Sequence, residues 1–311
     1  MSNFDPIYID LFGQPTIDDY LESLRAKGLQ YRAKIIESGG MLELVIYPIN
    51  PVWKKRKGEK RPKPKKATRK AQRDLNDKNT RKHVSRLIHA NFCNKDIWVT
   101  FTYDPDMYMP ENVAEAVKQL KNYFARLRRH IEKHSLPELK YIYVTERVKN
   151  EDTGKVHTHH HVIMNFRDRD IAELLWNLGG RTQSRWLQPD TDGSLEGLAR
   201  YITKPETKAG NRKGAKSYAT SKNLKKPTVD RSNYRMPRTG YRLSKKRVAE
   251  MATNENKANE LIAQHYSNYA LVEPIVVQFS DYIAGAYIYA RMMRKPTNEG
   301  RGNRHERRRN L

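Results

Sequence analysis

Residues 97–188 alternate between strand-like and helix-like hydrophobic patterns, and the order of these patterns restricts the fold more than any other feature. Runs of β-branched and aromatic residues between turn residues predict strands, whereas apolar residues recurring every three or four positions predict helices. The predicted strands are 97–103, 141–148, 156–166 and 181–188, and the predicted helices are 110–133 and 168–178. This β-α-β-β-α-β order is typical of the ferredoxin-like, or split βαβ, arrangement. We therefore predict an α+β fold with a central antiparallel sheet and helices on one face.

Further elements are predicted on both sides of this frame. Apolar runs at 31–36 and 41–47 are joined by Ser38-Gly39-Gly40, a pattern that indicates an N-terminal β-hairpin. Residues 67–91 are predicted to form a helix. A further helix is predicted from Ser194 to Lys204, with Ser194 as its N-cap.

The chain has 60 Lys and Arg residues against 35 Asp and Glu, which gives a formal net charge of +25. Three segments carry this excess: 53–82 at net +12, 200–247 at net +14 and 291–311 at net +6. Such clustered positive charge indicates a polyanionic partner, and nucleic acid is the leading candidate. Tyrosines 218, 234 and 241 lie among the cations of the second segment, as in proteins that stack bases of single-stranded DNA. The alternative is a solvated loop whose tyrosines anchor it to the core.

The sequence shows neither an apolar run of about 18 residues nor a signal-peptide or lipidation motif, so we expect a cytoplasmic protein without a membrane partner. Cys93 is the only cysteine, which excludes an intrachain disulfide. We expect Cys93 to be a small buried apolar residue. No phosphate-binding loop of the G-x-x-x-x-G-K-[ST] type is present, so no helicase or ATPase activity is expected from the chain itself.

The predicted strand 156–166 carries an unusual density of imidazoles. Side chains alternate between the two faces of a strand, so His157, His159 and His161 share one face and His160 lies on the other with Val162. Neutral imidazole is a common ligand of first-row metals, and two histidines two residues apart can reach one ion. The pattern therefore predicts a metal-binding face.

Three segments together resemble the motifs of the HUH endonucleases, in particular the replication initiators of rolling-circle plasmids and phages. They are Phe101-Thr102-Tyr103 at a strand end, the histidine strand, and the helix Leu198–Lys204 with its Tyr-x-x-Lys spacing. The resemblance implies that Tyr201 is the nucleophile, that Lys204 assists it, and that a histidine pair binds a divalent metal. His159 and His161 match that pair best, because the apolar residues 162–164 follow them directly.

Two features leave the choice of metal ligands open. His160 stands where the family usually has a hydrophobe, and His157 is a rival on the same face, so a His157/His159 pairing remains an alternative. The family often adds an acidic or amide ligand, and Glu146, near the end of the neighbouring predicted strand, is the candidate. The metal is expected to be Mn²⁺ or Mg²⁺, with Zn²⁺ possible.

The resemblance implies a metal-dependent nickase that attaches itself to DNA through a 5′-phosphotyrosine and leaves a free 3′-hydroxyl to initiate rolling-circle replication. Single-stranded or melted origin DNA is then the substrate, with a host helicase and polymerase as further partners. The implied organisation is an N-terminal hairpin region at 1–52, a basic arm and helix at 53–92, the endonuclease core at 93–205, and a basic DNA-binding and C-terminal region at 206–311.

Other functions remain open at this point. A non-catalytic nucleic-acid-binding module could use the same sheet, with histidines that bind no metal. A relaxase or transposase of the same superfamily would share every residue named above. A structural zinc site is disfavoured, because such sites need four closed ligands and usually cysteines.

Overall fold

The computed structural model describes residues 22, 24, 25, 27–49, 69–149, 154, 156–204, 218–280 and 283–296. Residues 53–68 of the predicted basic arm, residues 205–217 of the second basic segment and residues 297–311 of the basic tail lie outside the described residues. The chain divides into two compact units. Lys65–Pro227 forms one, called here the inserted unit, and Met1–Pro64 with Thr228–Leu311 forms the other, called the flanking unit.

The described elements confirm a mixed α+β fold with antiparallel sheets. In chain order they are β1 (Gln30–Ser38), β2 (Met41–Ile49), α1 (Arg69–Asn91), β3 (Ile97–Thr102), α2 (Val113–Lys133), β4 (Tyr141–Lys149), β5 (Val156–Met164), α3 (Arg169–Leu174), β6 (Gln183–Trp186), α4 (Glu196–Ile202), β7 (Ala219–Thr220), β8 (Thr228–Asn233), α5 (Lys245–Thr253), α6 (Glu255–His265), β9 (Tyr269–Leu271), β10 (Val276–Ser280) and β11 (Ile283–Arg294).

The inserted unit has the sheet order β6-β3-β5-β4-β7, and its paired strands are antiparallel. Its first four strands follow the split βαβ order that the sequence predicts. Helices α2 and α3 pack on one face, over a core that includes Phe101 and Val162. Helices α1 and α4, which lie outside the β-α-β-β-α-β frame, pack against Val144 and Ile163 on the other face. Both faces of this sheet are therefore covered in part by helices.

Two local predictions in the inserted unit are wrong. Helix α4 begins at Glu196, and its N-cap residue is Leu195 rather than Ser194. Ser194 Oγ accepts from the Glu196 amide at 3.3 Å, while Asp190 Oδ2 accepts from the Gly197 amide at 2.8 Å. The preceding loop thus satisfies the first amides of this helix. Cys93 is exposed instead of buried, because it lies in the turn that follows α1.

The flanking unit combines the predicted hairpin with strands from the C-terminal third of the chain. Its sheet has the order β10-β11-β2-β1-β8, and β9 also pairs with β11. The hairpin is confirmed: β1 and β2 pair with Ser38 opposite Met41, and Gly39 in the turn has a φ of 60°. Helices α5 and α6 pack on one face of this sheet over a core that includes Ile35 and Leu44. None of the described helices is both long and apolar enough to cross a bilayer.

Candidate metal and nucleophile site

The pairing of β4 with β5 and of β5 with β3 brings the predicted metal ligands together. Glu146 lies directly opposite His159, and His161 lies opposite Thr100. Glu146, His159 and His161 each offer one ligand atom, and these atoms all lie within 4.8 Å of one another. His157 is exposed opposite Val148 and is not part of this cluster. The cluster faces the side of the sheet on which α1 and α4 pack.

The carboxylate of Glu146 links the two imidazoles. Glu146 Oε2 lies 2.9 Å from His159 Nε2 and 3.8 Å from His161 Nε2. The hydrogen bond from His159 lowers the pKa of Glu146, and the charge of Lys204 acts in the same direction against the effect of burial. Glu146 is therefore an ionised carboxylate at neutral pH.

His161 has the protonation state that a metal ligand needs. Burial, reinforced by the neighbouring charge of His159, lowers the pKa of His161 to about 4. Its Nδ1 lies 3.1 Å from Thr100 Oγ1, whereas its buried Nε2 has no hydrogen-bond partner. Burying a polar nitrogen without a hydrogen-bond partner costs free energy unless a bound ligand interacts with it. Together with a carboxylate and a second imidazole, it fits a divalent ion and leaves coordination positions open.

His160 lies on the opposite face and has a different role. Its Nε2 is 2.7 Å from the Tyr103 hydroxyl and its Nδ1 is 2.8 Å from Thr145 Oγ1, so both ring nitrogens already have partners. Burial lowers the pKa of His160 to about 3. It is therefore a neutral core residue, and the replacement of the usual hydrophobe at this position does not add a ligand to the site.

Helix α4 places Tyr201 beside the cluster. The Tyr201 ring lies edge-on to His161, with centroids 5.3 Å apart, and is 41% exposed. Lys204 Nζ lies 4.5 Å from the centroid of the Tyr201 ring. Burial and then the negative charge of Glu146 raise the pKa of Tyr201, so the phenol is protonated in the absence of a bound cation. The predicted nucleophile, its lysine and the metal ligands thus share one site.

Trp98 is a site residue that the sequence analysis missed. Its ring stacks on His161 at a centroid distance of 5.0 Å and contacts the Tyr201 ring edge-on at 5.5 Å. The alternation in β3 could have indicated this role. Trp98, Thr100 and Thr102 alternate with buried apolar residues, so they lie on the same face of the sheet as His159 and His161.

Residues 96–209 match the family model of the replication-associated protein ORF2 family. This is a family of HUH-type rolling-circle replication initiators. The match confirms the resemblance to rolling-circle initiators, and the matched segment contains the three clustered candidate ligands as well as Tyr201 and Lys204. No curated protein and no solved structure matches the chain.

Helix α1, which lies outside the matched segment, makes buried hydrogen bonds to the start of helix α4. Ser85 Oγ donates to Glu196 Oε2 at 2.5 Å, and the Leu195 amide donates to His89 Nε2 at 2.9 Å. His89 Nδ1 lies 2.8 Å from the Ser85 carbonyl oxygen. These contacts are buried, so they hold the start of the helix that carries Tyr201. The sequence gives no local signal for the contacts of Ser85 with Glu196 and of His89 with Leu195, because these partners are more than 100 residues apart.

Proposed function

We propose that the protein is a metal-dependent, site-specific nickase and strand transferase that acts on single-stranded DNA through Tyr201 and initiates rolling-circle replication. The observation that supports the proposal most strongly is the contact of the Tyr201 ring with His161, 5.3 Å between centroids, within a segment that matches an initiator family. A tyrosine beside a candidate metal triad is an arrangement suited to phosphotyrosine chemistry, because the ion can polarise the phosphate that the tyrosine attacks.

Glu146, His159 and His161 would hold the ion, which, when bound, would withdraw charge from the scissile phosphate. The Tyr201 hydroxyl oxygen attacks the phosphorus, and the bond from phosphorus to the 3′-oxygen breaks. The phenol loses its proton and the departing 3′-oxygen gains one, so protons balance. The products are a 5′-phosphotyrosine and a free 3′-hydroxyl.

Lys204 is the group that favours the charged form of Tyr201. An unperturbed tyrosine has a pKa of about 10, and the burial and the Glu146 charge described above raise it further. The Lys204 ammonium, 4.5 Å from the ring centroid, would attract the phenolate as it forms and the phosphate oxygens. We assign Lys204 to this stabilising role.

The phosphotyrosine preserves the energy of the cleaved phosphodiester. Attack by a 3′-hydroxyl therefore reverses the reaction and rejoins DNA without ATP. The 3′-hydroxyl released by nicking would prime a host polymerase, and a host helicase would supply strand separation.

The direct test is to incubate the protein with a labelled, diverse pool of single-stranded DNA and Mn²⁺, and to look for a covalent band on a denaturing gel. Tyr201→Phe should abolish the band, and EDTA should abolish it in the wild type. Tyr234→Phe is the matched control, because Tyr234 is 45% exposed, close to the 41% of Tyr201, but belongs to the flanking unit. This control should retain the band.

The other outcomes identify other functions. An adduct that survives Tyr201→Phe would move the nucleophile to another tyrosine, and no adduct from any variant would favour a non-catalytic nucleic-acid-binding module. An initiator also differs from a relaxase or transposase in its products. We expect single-stranded circles of an origin-bearing plasmid in cells that express the wild type, and none with Tyr201→Phe.

A further inference from the structure

The charges on two neighbouring strands of the flanking unit are sorted by sign. Strands β1 and β8 pair antiparallel and carry Arg32, Lys34, Glu37, Asp230 and Arg231. Strand alternation and the observed register place the three cations on one face, with Lys34 directly opposite Arg231. The two acids lie on the other face, where α5 and α6 pack.

The two acids already have partners on their own side of the sheet. Glu37 binds Arg238 at 2.9 Å and Arg294 at 3.0 Å, and Asp230 lies 3.4 Å from Arg238. These acids therefore cannot balance the cations across the sheet. Glu43 of β2 lies on the cationic face among the described residues; it is buried and accepts a hydrogen bond from the Tyr289 hydroxyl.

The cationic face contains like charges in direct opposition. Lys34 and Arg231 are cross-strand partners on this face. Just beyond the end of β8, outside the paired strands, an isolated bridge sets Arg235 opposite Arg242. Like charges directly opposite each other destabilise a sheet. Arg231, Arg235 and Arg242 are exposed, and Arg32 Nε is oriented by a 2.6 Å hydrogen bond to Asn233 Oδ1. Such an arrangement gains stability when a polyanion lies against it.

We propose that this surface, defined by Arg32, Lys34, Arg231, Arg235 and Arg242, binds the phosphate backbone of DNA at a place separate from the nicking site. The proposal rests on the proposed function in that it takes DNA as the substrate of the chain. In this proposal the two units have different roles. The inserted unit contains the nicking residues, and the flanking unit binds the DNA backbone independently of base sequence.

The test compares DNA binding by two charge-matched triple variants. One is Arg32→Gln/Arg231→Gln/Arg235→Gln in the proposed surface. The control is Lys118→Gln/Lys121→Gln/Arg129→Gln, which removes the same charge from exposed positions of α2. Fluorescence anisotropy with a labelled duplex, and with one of its single strands, measures the affinity of each full-length variant over a series of salt concentrations.

Removing one cation that binds a phosphate should make the plot of log affinity against log salt shallower by about 0.9 for duplex and by about 0.7 for single strands. For the surface variant, which lacks three cations, we expect this slope to become shallower by about two to three with the type of DNA, duplex or single-stranded, that the surface binds. For the control variant we expect little change in the slope. Equal slopes for the two variants in both arms would overturn the proposal, because only net charge would then matter.

Two further measurements distinguish the loss of a DNA-binding surface from misfolding of the variant and from failure of the proposed nickase function. Arg32→Lys/Arg231→Lys/Arg235→Lys keeps the charges and should keep the wild-type slope; loss of binding in this variant as well would contradict a role for charge. The Gln variant should still form the Tyr201 adduct with short single-stranded DNA. If the wild type forms no adduct and the Gln variant nevertheless loses affinity, the nickase proposal fails and the binding surface stands.

Discussion

Thr100→Val tests whether the sheet orients a metal-binding histidine. Thr100 Oγ1 lies 3.1 Å from His161 Nδ1, on the strand that pairs with the histidine strand. For His161 to bind an ion through Nε2, Nδ1 must carry the ring hydrogen, which would then be donated to Thr100 Oγ1. Valine has nearly the same shape as threonine but offers no oxygen, so the substitution removes the acceptor and keeps the packing.

The expected magnitude follows from the burial of His161. Loss of a hydrogen-bond partner to a metal-binding histidine costs about 10- to 100-fold in metal affinity. That range corresponds to about 1.4–2.8 kcal/mol and matches the cost of about 1–3 kcal/mol for leaving a buried donor unsatisfied. The His161 side chain is 7% exposed, so water has little access to replace the threonine. We therefore expect a loss near the upper end of the range.

The assay is calorimetric titration of the full-length protein with Mn²⁺, with Thr102→Val as the control. Thr102 lies on the same strand and the same face, opposite His159, but its hydroxyl donates to the Arg181 carbonyl oxygen at 2.7 Å. Thr102→Val should bind Mn²⁺ as the wild type does. Unchanged affinity in Thr100→Val, or an equal loss in both variants, would refute the reasoning.

Three further substitutions have expected outcomes that unfolding, calorimetric or adduct assays can measure. His160→Leu should lower the free energy of unfolding by about 1–3 kcal/mol, because Tyr103 and Thr145 lose a buried partner, and should leave Mn²⁺ affinity unchanged in calorimetry. Gly180→Ala should lower the free energy of unfolding, measured with denaturant, more than Gly193→Ala does. Both glycines have a positive φ, but only at Gly180 would an added Cβ lie 2.7 Å from backbone atoms. His89→Phe should slow adduct formation without weakening Mn²⁺ binding, because it frees the start of α4 and leaves the metal cluster intact.

The parts of the site that follow from strand alternation could be predicted from the sequence. Once 156–166 is taken as a strand, His159 and His161 share a face, and antiparallel pairing with the preceding strand places Glu146 opposite His159. The nucleophile could not be predicted in this way, because a single tyrosine on a short helix has no sequence pattern that marks it as catalytic. Tyr201 could be predicted only through the family resemblance of the three motifs together.

The contacts that support the site could not be predicted, because they join distant parts of the chain. Ser85 and Glu196 are 111 residues apart in sequence, and neither has a neighbour in the sequence that marks it as a partner. The same holds for the flanking unit, where Arg32 and Asn233 are 201 residues apart. The sign-sorted face of β1 and β8 becomes visible only after the register between those strands is known.

Strand β5 contributes side chains both to the hydrophobic core and to the candidate metal site. A slip of one residue would turn His159 and His161 into the core under α2 and would bring His160 to the face of the cluster. The apolar residues oppose that slip, because Val162 and Met164 pack in the core on one side and Ile163 packs on the other. The low pKa values of His160, about 3, and His161, about 4, keep both rings neutral at physiological pH. These two rings therefore do not repel a divalent cation, and the register that fills the core is also the register that presents His159 and His161 to Glu146.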